Sequence, residues 1–340
     1  MERRNPFILM DPPPLPALGE RPLEVCLIRG GAVESRHRVH VLVSDPQGEP
    51  VFQWGEAGLR FFPRSAVKVI QAASWLAADA GRTFKLGEEE LAIACGSHHG
   101  DENHVRAVSS WLERLGLDES HLECGVHPPY DKQSARNLIR SDRKPCPLHN
   151  NCSGKHCGLL TFCRARGWDT AGYSNYDHPV QVALRETLAE FYGLDAQGLS
   201  WGIDGCGIPT YAVDLATLAK AMARVASPGS LPRAVGDAVG VLTSAIAAKP
   251  HYIGGTESFC TKVVAETEGR VFAKLGAEGV YCAWLPQQGL GLAMKAEDGH
   301  GRATEVAMAS VLRELGHPLN FFSPLVRRWT GEVVGQFVCA

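Results

Sequence analysis

Strand-like sequence at both ends of the chain encloses a long helical middle, and that order limits the possible folds more than any other feature. Residues 23–30, 38–44 and 51–54 alternate or run apolar between turn residues, which predicts antiparallel strands. Asp45-Pro46-Gln47-Gly48 supplies the turn of the second hairpin. Segments 65–80, 88–95, 103–115, 153–166, 178–193, 212–226 and 232–247 then carry apolar residues at helical spacing, with Asp177 before His178-Pro179 as one predicted helix start. Past Gly254-Gly255 the strand pattern returns at 271–276, 279–285 and 290–295, followed by a last helix over 302–315. Strands from the two ends must share a sheet if each is to bury its apolar face. The expected class is therefore α/β (α+β), an antiparallel sheet from both chain ends with an inserted helical subdomain. A flexible arm is expected over 1–20 and a single domain over 21–340, its sheet part at 21–85 and 250–340 and its helical part at 86–249.

The middle of the chain also carries its chemistry. Ser65-Ala66-Val67-Lys68 opens an apolar-periodic segment. A serine hydroxyl is a weak nucleophile until a neighbouring base takes its proton, and a lysine serves only where burial or nearby positive charge disfavours its ammonium form. Residues three apart on a helix bring their Cβ atoms to about 5–6 Å, so this spacing allows a shared hydrogen bond. Ser65 is placed in the first turn, where free N–H groups favour a developing alkoxide. Lys68 is placed on the buried face, where a lysine needs a reason. Cys95-Gly96-Ser97-His98-His99-Gly100 offers a second serine on a turn that its glycines open to close approach.

Composition narrows the partners. The 340 residues are 45% hydrophobic, enough for a sizeable core, and the net charge of −3 gives no electrostatic case for nucleic acid or an anionic membrane. A small-molecule substrate is expected. The first ten residues hold too short an apolar run for an export signal or a membrane span, so a cytoplasmic location is expected. The cysteines number 11, an odd count that argues against a disulfide framework in that setting. Cys146, His149, Cys152, His156 and Cys157 crowd one stretch, and Cys206 lies in Asp204-Gly205-Cys206-Gly207. Thiolate and imidazole suit zinc, although no Cys-x2-Cys pair is present and buried free cysteines explain the same residues.

Three shorter matches fail. Ser153-Gly154-Lys155 lacks the first glycine and the hydroxyl residue of a phosphate loop, since His149 and His156 stand there. Gly205-Cys206-Gly207 lacks the third glycine of a dinucleotide site. His98, His99, Asp101, Glu102 and His104 fit neither order of a metalloprotease motif and are expected as polar pocket groups rather than ligands. Tyr173-Ser174-Asn175 is expected to be a surface loop.

Ser65, Lys68, Ser97 and Lys274 fall in the chain order of a serine β-lactamase-like fold. With Pro63-Arg64-Ser65-Ala66-Val67-Lys68, Ala94-Cys95-Gly96-Ser97-His98-His99, Asn150-Asn151-Cys152-Ser153-Gly154-Lys155-His156, Asp204-Gly205-Cys206-Gly207-Ile208-Pro209 and Lys274-Leu275-Gly276-Ala277-Glu278-Gly279, the chain from about residue 22 onward resembles the rhizobial-type, thermolabile L-asparaginases. The resemblance implies hydrolysis of L-asparagine to L-aspartate and ammonia on a serine β-lactamase-like fold, usually by a homodimer. It implies two Ser-Lys pairs, Ser65 with Lys68 and Ser97 with Lys274. It also implies a zinc ion held by Cys152, Lys155 and Cys206 with Asp204 close by, leaving Cys146, His149 and Cys157 outside the ligand set.

On this reading Ser65 attacks the side-chain amide, Lys68 accepts its proton and Ser97 relays a proton to the leaving ammonia; the reverse assignment of the serines stays open. Backbone N–H groups near Ser65 or at Gly254 and Gly255 are expected to hold the oxyanion, and Arg64, His98 or Glu278 to bind the charged α-groups. Zinc is expected to orient the substrate or brace the pocket. Two other functions fit the same residues. A penicillin-binding or β-lactamase-like hydrolase would use the same pair but act outside the cell, and a non-enzymatic zinc-stabilised binding protein would bind without turnover.

Overall fold

A computed structural model describes residues 13–340. The first strands are β1 (Leu23–Arg29), β2 (Ala32–Ser44), β3 (Pro50–Trp54) and the short β4 (Arg60–Phe61). The helical part holds α1 (Lys68–Ala77), α2 (Ala80–Thr83), α3 (Glu88–Ala94), α4 (Glu102–Arg114), α5 (Lys132–Arg140), α6 (Ser153–Arg166) and α7 (Pro179–Tyr192). Short strands β5 (Trp201–Ile203), β6 (Pro209–Tyr211) and β7 (Val213–Asp214) precede α8 (Leu215–Ala226), α9 (Arg233–Ala248) and α10 (Phe259–Glu266). The chain closes with β8 (Phe272–Leu275), β9 (Val280–Leu285), β10 (Leu290–Ala296), α11 (Gly301–Glu314), β11 (Leu325–Arg327) and β12 (Val333–Cys339).

The two ends do meet in one sheet. Its eight strands run β11-β12-β1-β2-β10-β9-β8, with β3 also paired to β2, and every pairing is antiparallel. β2 joins the two halves through its register with β10, Val41 opposite Met294. All six residues of β9 are buried, as a strand covered on both faces requires. α8 and α11 both pack on β10 and β2 to provide that cover. The approach of α8 is close enough to require glycine: a Cβ at Gly291 would sit 1.9 Å from Ala223 N.

The helical part is built around α6, whose residues 153–163 are all buried, so it forms the hub against which α1, α3 and α4 pack. All 11 cysteines are free, and all but Cys146 are buried. No helix among the described residues is long and apolar enough to cross a membrane.

Several expectations need correction. The predicted helix over 65–80 begins with a 3-10 turn at Arg64–Val67, and α1 starts only at Lys68. The cap of α7 is His178, which accepts from Val180 N, rather than Asp177. Tyr173 is buried, its hydroxyl 2.6 Å from His156 Nδ1, and so does not lie in a surface loop. Of the arm expected over 1–20, residues 1–12 lie outside those described. The later part is tied down, since Trp54 Nε1 donates to Pro16 O (3.0 Å) and Gly19 N to Gln53 O (3.0 Å).

Candidate active site

Two buried lysines converge on one serine where the helical part meets the sheet. Lys68 enters from the start of α1 and Lys274 from β8, and both are essentially inaccessible to solvent. Ser97 Oγ lies 3.1 Å from Lys68 Nζ and 2.9 Å from Lys274 Nζ. Lys68 Nζ also donates to Gly96 O and to Asn151 O, the latter at 3.3 Å. These three acceptors match in number the N–H groups of a lysine ammonium. Lys274 has one further acceptor, Leu275 O at 2.8 Å. No carboxylate among the described residues faces it, and burial pushes its pKa down to about 7, with the neighbouring Lys68 acting in the same direction. Ser97 thus sits between a fully bonded lysine and one that titrates near neutrality.

The Ser97 loop is fixed by backbone contacts. Ser97 N donates to Ile253 O (2.9 Å) and His98 N to Asn151 O (3.2 Å). A side chain at Gly96 would place its Cβ 2.5 Å from Tyr252 O, so only glycine allows this approach.

Ser65 occupies the 3-10 turn just ahead of Lys68. It is half-buried, and its hydroxyl makes no hydrogen bond among the described residues. The i, i+3 spacing therefore places Ser65 and Lys68 in one turn, but the lysine head bonds Ser97. Arg64, beside Ser65, has φ of 54°, a left-handed conformation uncommon for a residue with a side chain. Its guanidinium holds it there by pairing with Asp204 Oδ1 at 2.7 Å. Glu278, on the turn between β8 and β9, is exposed and also left-handed, with φ of 57°. It is near enough to Arg64 to act on its charge.

Other expected site residues are placed differently. His98 is wholly buried, with Nε2 2.8 Å from Ser153 Oγ and Nδ1 accepting from Gly100 N, so neither ring nitrogen is left for a substrate. The N–H groups of Gly254 and Gly255 both donate to His251 O, at 3.3 and 2.8 Å, and are not available to an oxyanion. Asn150 and Asn151 lie in the Asn150–His156 motif, and spacing alone assigns them no role. Asn150 Oδ1 accepts from Cys152 N (2.8 Å) and Asn151 O from Lys68, so both carbonyls position functional groups. Only their place inside the motif could have signalled this.

A second buried cluster lies beside the Arg64–Asp204 pair. Cys152 and Lys155 come from the start of α6, and Cys206 from the loop between β5 and β6; none is more than 5% exposed. Lys155 Nζ is 2.8 Å from Cys206 Sγ. The hydrogen bond from Cys152 brings Cys206 down to about 5, and the Lys155 charge helps against the opposing effect of burial. The same bond pushes the Cys152 thiol up to about 12. Burial works against the Lys155 ammonium, but the Cys206 and Cys152 sulfurs outweigh it and raise its pKa. Two sulfurs and an amine in one dry cluster, one sulfur already inclined to ionise, are a donor set that fits zinc. Zinc would have to displace the lysine proton to use all three.

The family model for L-asparaginase II matches residues 25–339. No curated protein sequence matches the chain. Among solved structures, it is similar to Mglu in its native form at 17% identity and a TM-score of 0.39, covering 83% of this chain and 66% of that one. The chain thus spans just under two thirds of the length of Mglu. It is similar to a β-lactamase from Mycobacterium bovis at 14% identity and a TM-score of 0.42, covering 82% of this chain and 95% of that one. For the D-alanine carboxypeptidase AmpC from Burkholderia cenocepacia the values are 13%, 0.39, 82% and 93%. Likenesses this loose carry no argument about activity.

Proposed function

The chain belongs to the L-asparaginase II family, and on that premise we propose that it is an amidohydrolase acting on the side-chain amide of L-asparagine, releasing L-aspartate and ammonia. The observation that carries the reading is the position of Ser97 Oγ between Lys68 Nζ and Lys274 Nζ. A buried hydroxyl bonded to an amine that titrates near neutrality is suited to passing a proton in either direction. Ser65, half-buried and unbonded, is the serine free to meet a substrate.

In this scheme Ser65 Oγ attacks the amide carbon while its proton passes through Ser97 to Lys274. The tetrahedral intermediate then collapses, the C–N bond breaks, and the proton returns through Ser97 to the leaving nitrogen as ammonia. Water hydrolyses the resulting aspartyl ester by the same relay, restoring Ser65. Lys68 keeps its three acceptors throughout and fixes the Ser97 oxygen. The base therefore differs from the one expected from spacing, because the hydrogen-bond pattern favours Lys274 over Lys68. Arg64 and Glu278, of opposite charge and beside Ser65 and β8, match the α-carboxylate and α-ammonium of a free amino acid.

Cys152, Lys155 and Cys206 would hold zinc. Its contribution there would be to brace the loop of Asp204, and through Asp204 the conformation of Arg64 and the Ser65 turn. Ammonia release from asparagine and glutamine, with acylation and ring opening of a penicillin followed in parallel, tests the substrate. The expected result is fast release from asparagine, strongly reduced in Ser97→Ala. Acylation by penicillin without asparagine turnover would favour the β-lactamase-like alternative, and turnover of none would contradict the enzymatic reading.

A further inference from the structure

A third cluster lies beside the Ser97 loop, outside the two described above. Asp101 caps α4, accepting from Asn103 N (3.0 Å) and His104 N (3.1 Å) through Oδ1. His104 lies one turn further on, and His251 comes from the 3-10 turn Pro250–Ile253. His104 Nδ1 is 2.8 Å from Asp101 Oδ1, and His251 Nε2 is 2.8 Å from Asp101 Oδ2. Both contacts are within hydrogen-bond reach, yet neither nitrogen has an aligned hydrogen-bond partner among the described residues. The three ligand atoms all lie within 4.8 Å of one another.

The far side of each ring is occupied. His104 Nε2 lies 3.2 Å from His251 O, a carbonyl to which it can only donate, and His251 Nδ1 lies 3.4 Å from Thr256 Oγ1. With its proton on Nε2, His104 turns the Nδ1 lone pair toward a carboxylate, an arrangement that repels unless a cation stands between them. His104 is wholly buried, and its ring stacks on His98 at 4.9 Å and on His251 at 4.7 Å. A metal-binding imidazole usually donates its remote N–H to a carbonyl, and a carboxylate ligand usually accepts further hydrogen bonds; both are present here.

We propose that Asp101, His104 and His251 bind a divalent transition-metal ion, with water completing the shell. Two imidazoles and one carboxylate with open positions suit zinc, and also cobalt, nickel or iron(II). The ion joins α4 to the turn Pro250–Ile253, and Ile253 O is the group that holds Ser97 N. Its role is to position the Ser97 loop. The expectation of Asp101 and His104 as pocket groups rather than ligands follows from their spacing alone, because His251, which joins them, is far away in the chain and completes no motif with them. The proposal does not depend on the hydrolytic reading.

The test uses the full chain, stripped by chelator and reloaded with zinc(II) or cobalt(II), followed by metal analysis and absorption spectroscopy. Cobalt bound by cysteine gives a thiolate charge-transfer band, whereas cobalt at Asp101, His104 and His251 does not. Cys206→Ser is expected to lose that band and still bind one metal ion per chain. His251→Gln, in a partly exposed turn, is expected to lose one equivalent and keep whatever thiolate band the wild type shows. If the wild type shows no such band yet binds one ion that His251→Gln loses, the zinc reading of the cysteine cluster fails while this one stands. The proposal is overturned if folded His251→Gln and His104→Gln both hold as much metal as the wild type, or if Cys206→Ser holds none. Should His104→Gln not fold, His251→Gln and a zinc-induced rise in the Tm of Cys206→Ser carry the same decision.

Discussion

The chain buries lysine in two neighbouring places and treats it in opposite ways. Lys274 faces a hydroxyl, a carbonyl and another lysine, and its pKa falls to about 7. Lys155 is as deeply buried but faces the Cys206 sulfur, and its pKa rises. Burial disfavours the ammonium in both places, so the opposite directions come from the partners. A lysine with only neutral acceptors becomes a base near neutral pH, whereas a lysine with a thiolate becomes half of an ion pair. The first is suited to moving protons and the second to structure or metal binding.

Breaking each lysine separately gives the largest contrast. Lys274→Met is expected to lower kcat for asparagine by about 10²–10⁴-fold, the usual range for loss of a proton-transfer group, and Ser97→Ala by a similar factor, both measured by ammonia release. Lys155→Met removes the charge partner of Cys206, whose sulfur then takes up a proton, so in metal-stripped protein it is expected to lower stability in urea unfolding. Lys274→Met carries no such cost, since it removes a buried ammonium that has no counter-charge.

The pH dependence sharpens the same comparison. Because the Lys274 pKa lies below its ordinary 10.5, the folded state binds fewer protons than the unfolded state between about 7 and 10.5. This group's penalty is therefore complete below pH 7 and is relieved as the pH rises through that window. Unfolding curves of Lys274→Met against wild type should show the contribution vanish. In the wild type kcat/KM should rise with pH to a plateau with a midpoint of about 7, and Lys155 should add no limb there. The smallest effect is expected for Arg64→Lys. It loses the planar grip on Asp204 and should raise KM severalfold with a smaller change in kcat.

Strong periodicity made much of the fold legible. The helix expected over 153–166 is α6 itself, and the strands at both ends meet as expected. α5 was missed because its only buried residue is Leu138, which leaves no apolar stripe to read. β12 was missed because it is a lone strand after a helix, and its pairing with β1 unites opposite ends of the chain. At the site, the motifs pointed to Ser65, Lys68, Ser97 and Lys274; Ser97 and Lys274 do lie together, whereas Lys68 bonds Ser97 rather than Ser65. A long side chain goes where buried carbonyls satisfy it, and Gly96 O and Asn151 O draw Lys68 away from the serine three residues before it.

The division of labour between the two serines is the central claim, and trapping the covalent intermediate tests it most directly. Wild-type protein turning over L-asparagine would be acid-quenched, digested and mapped by mass spectrometry. The account predicts an aspartyl ester on Ser65, with Ser97 unmodified. An ester on Ser97, or on neither serine, would contradict it.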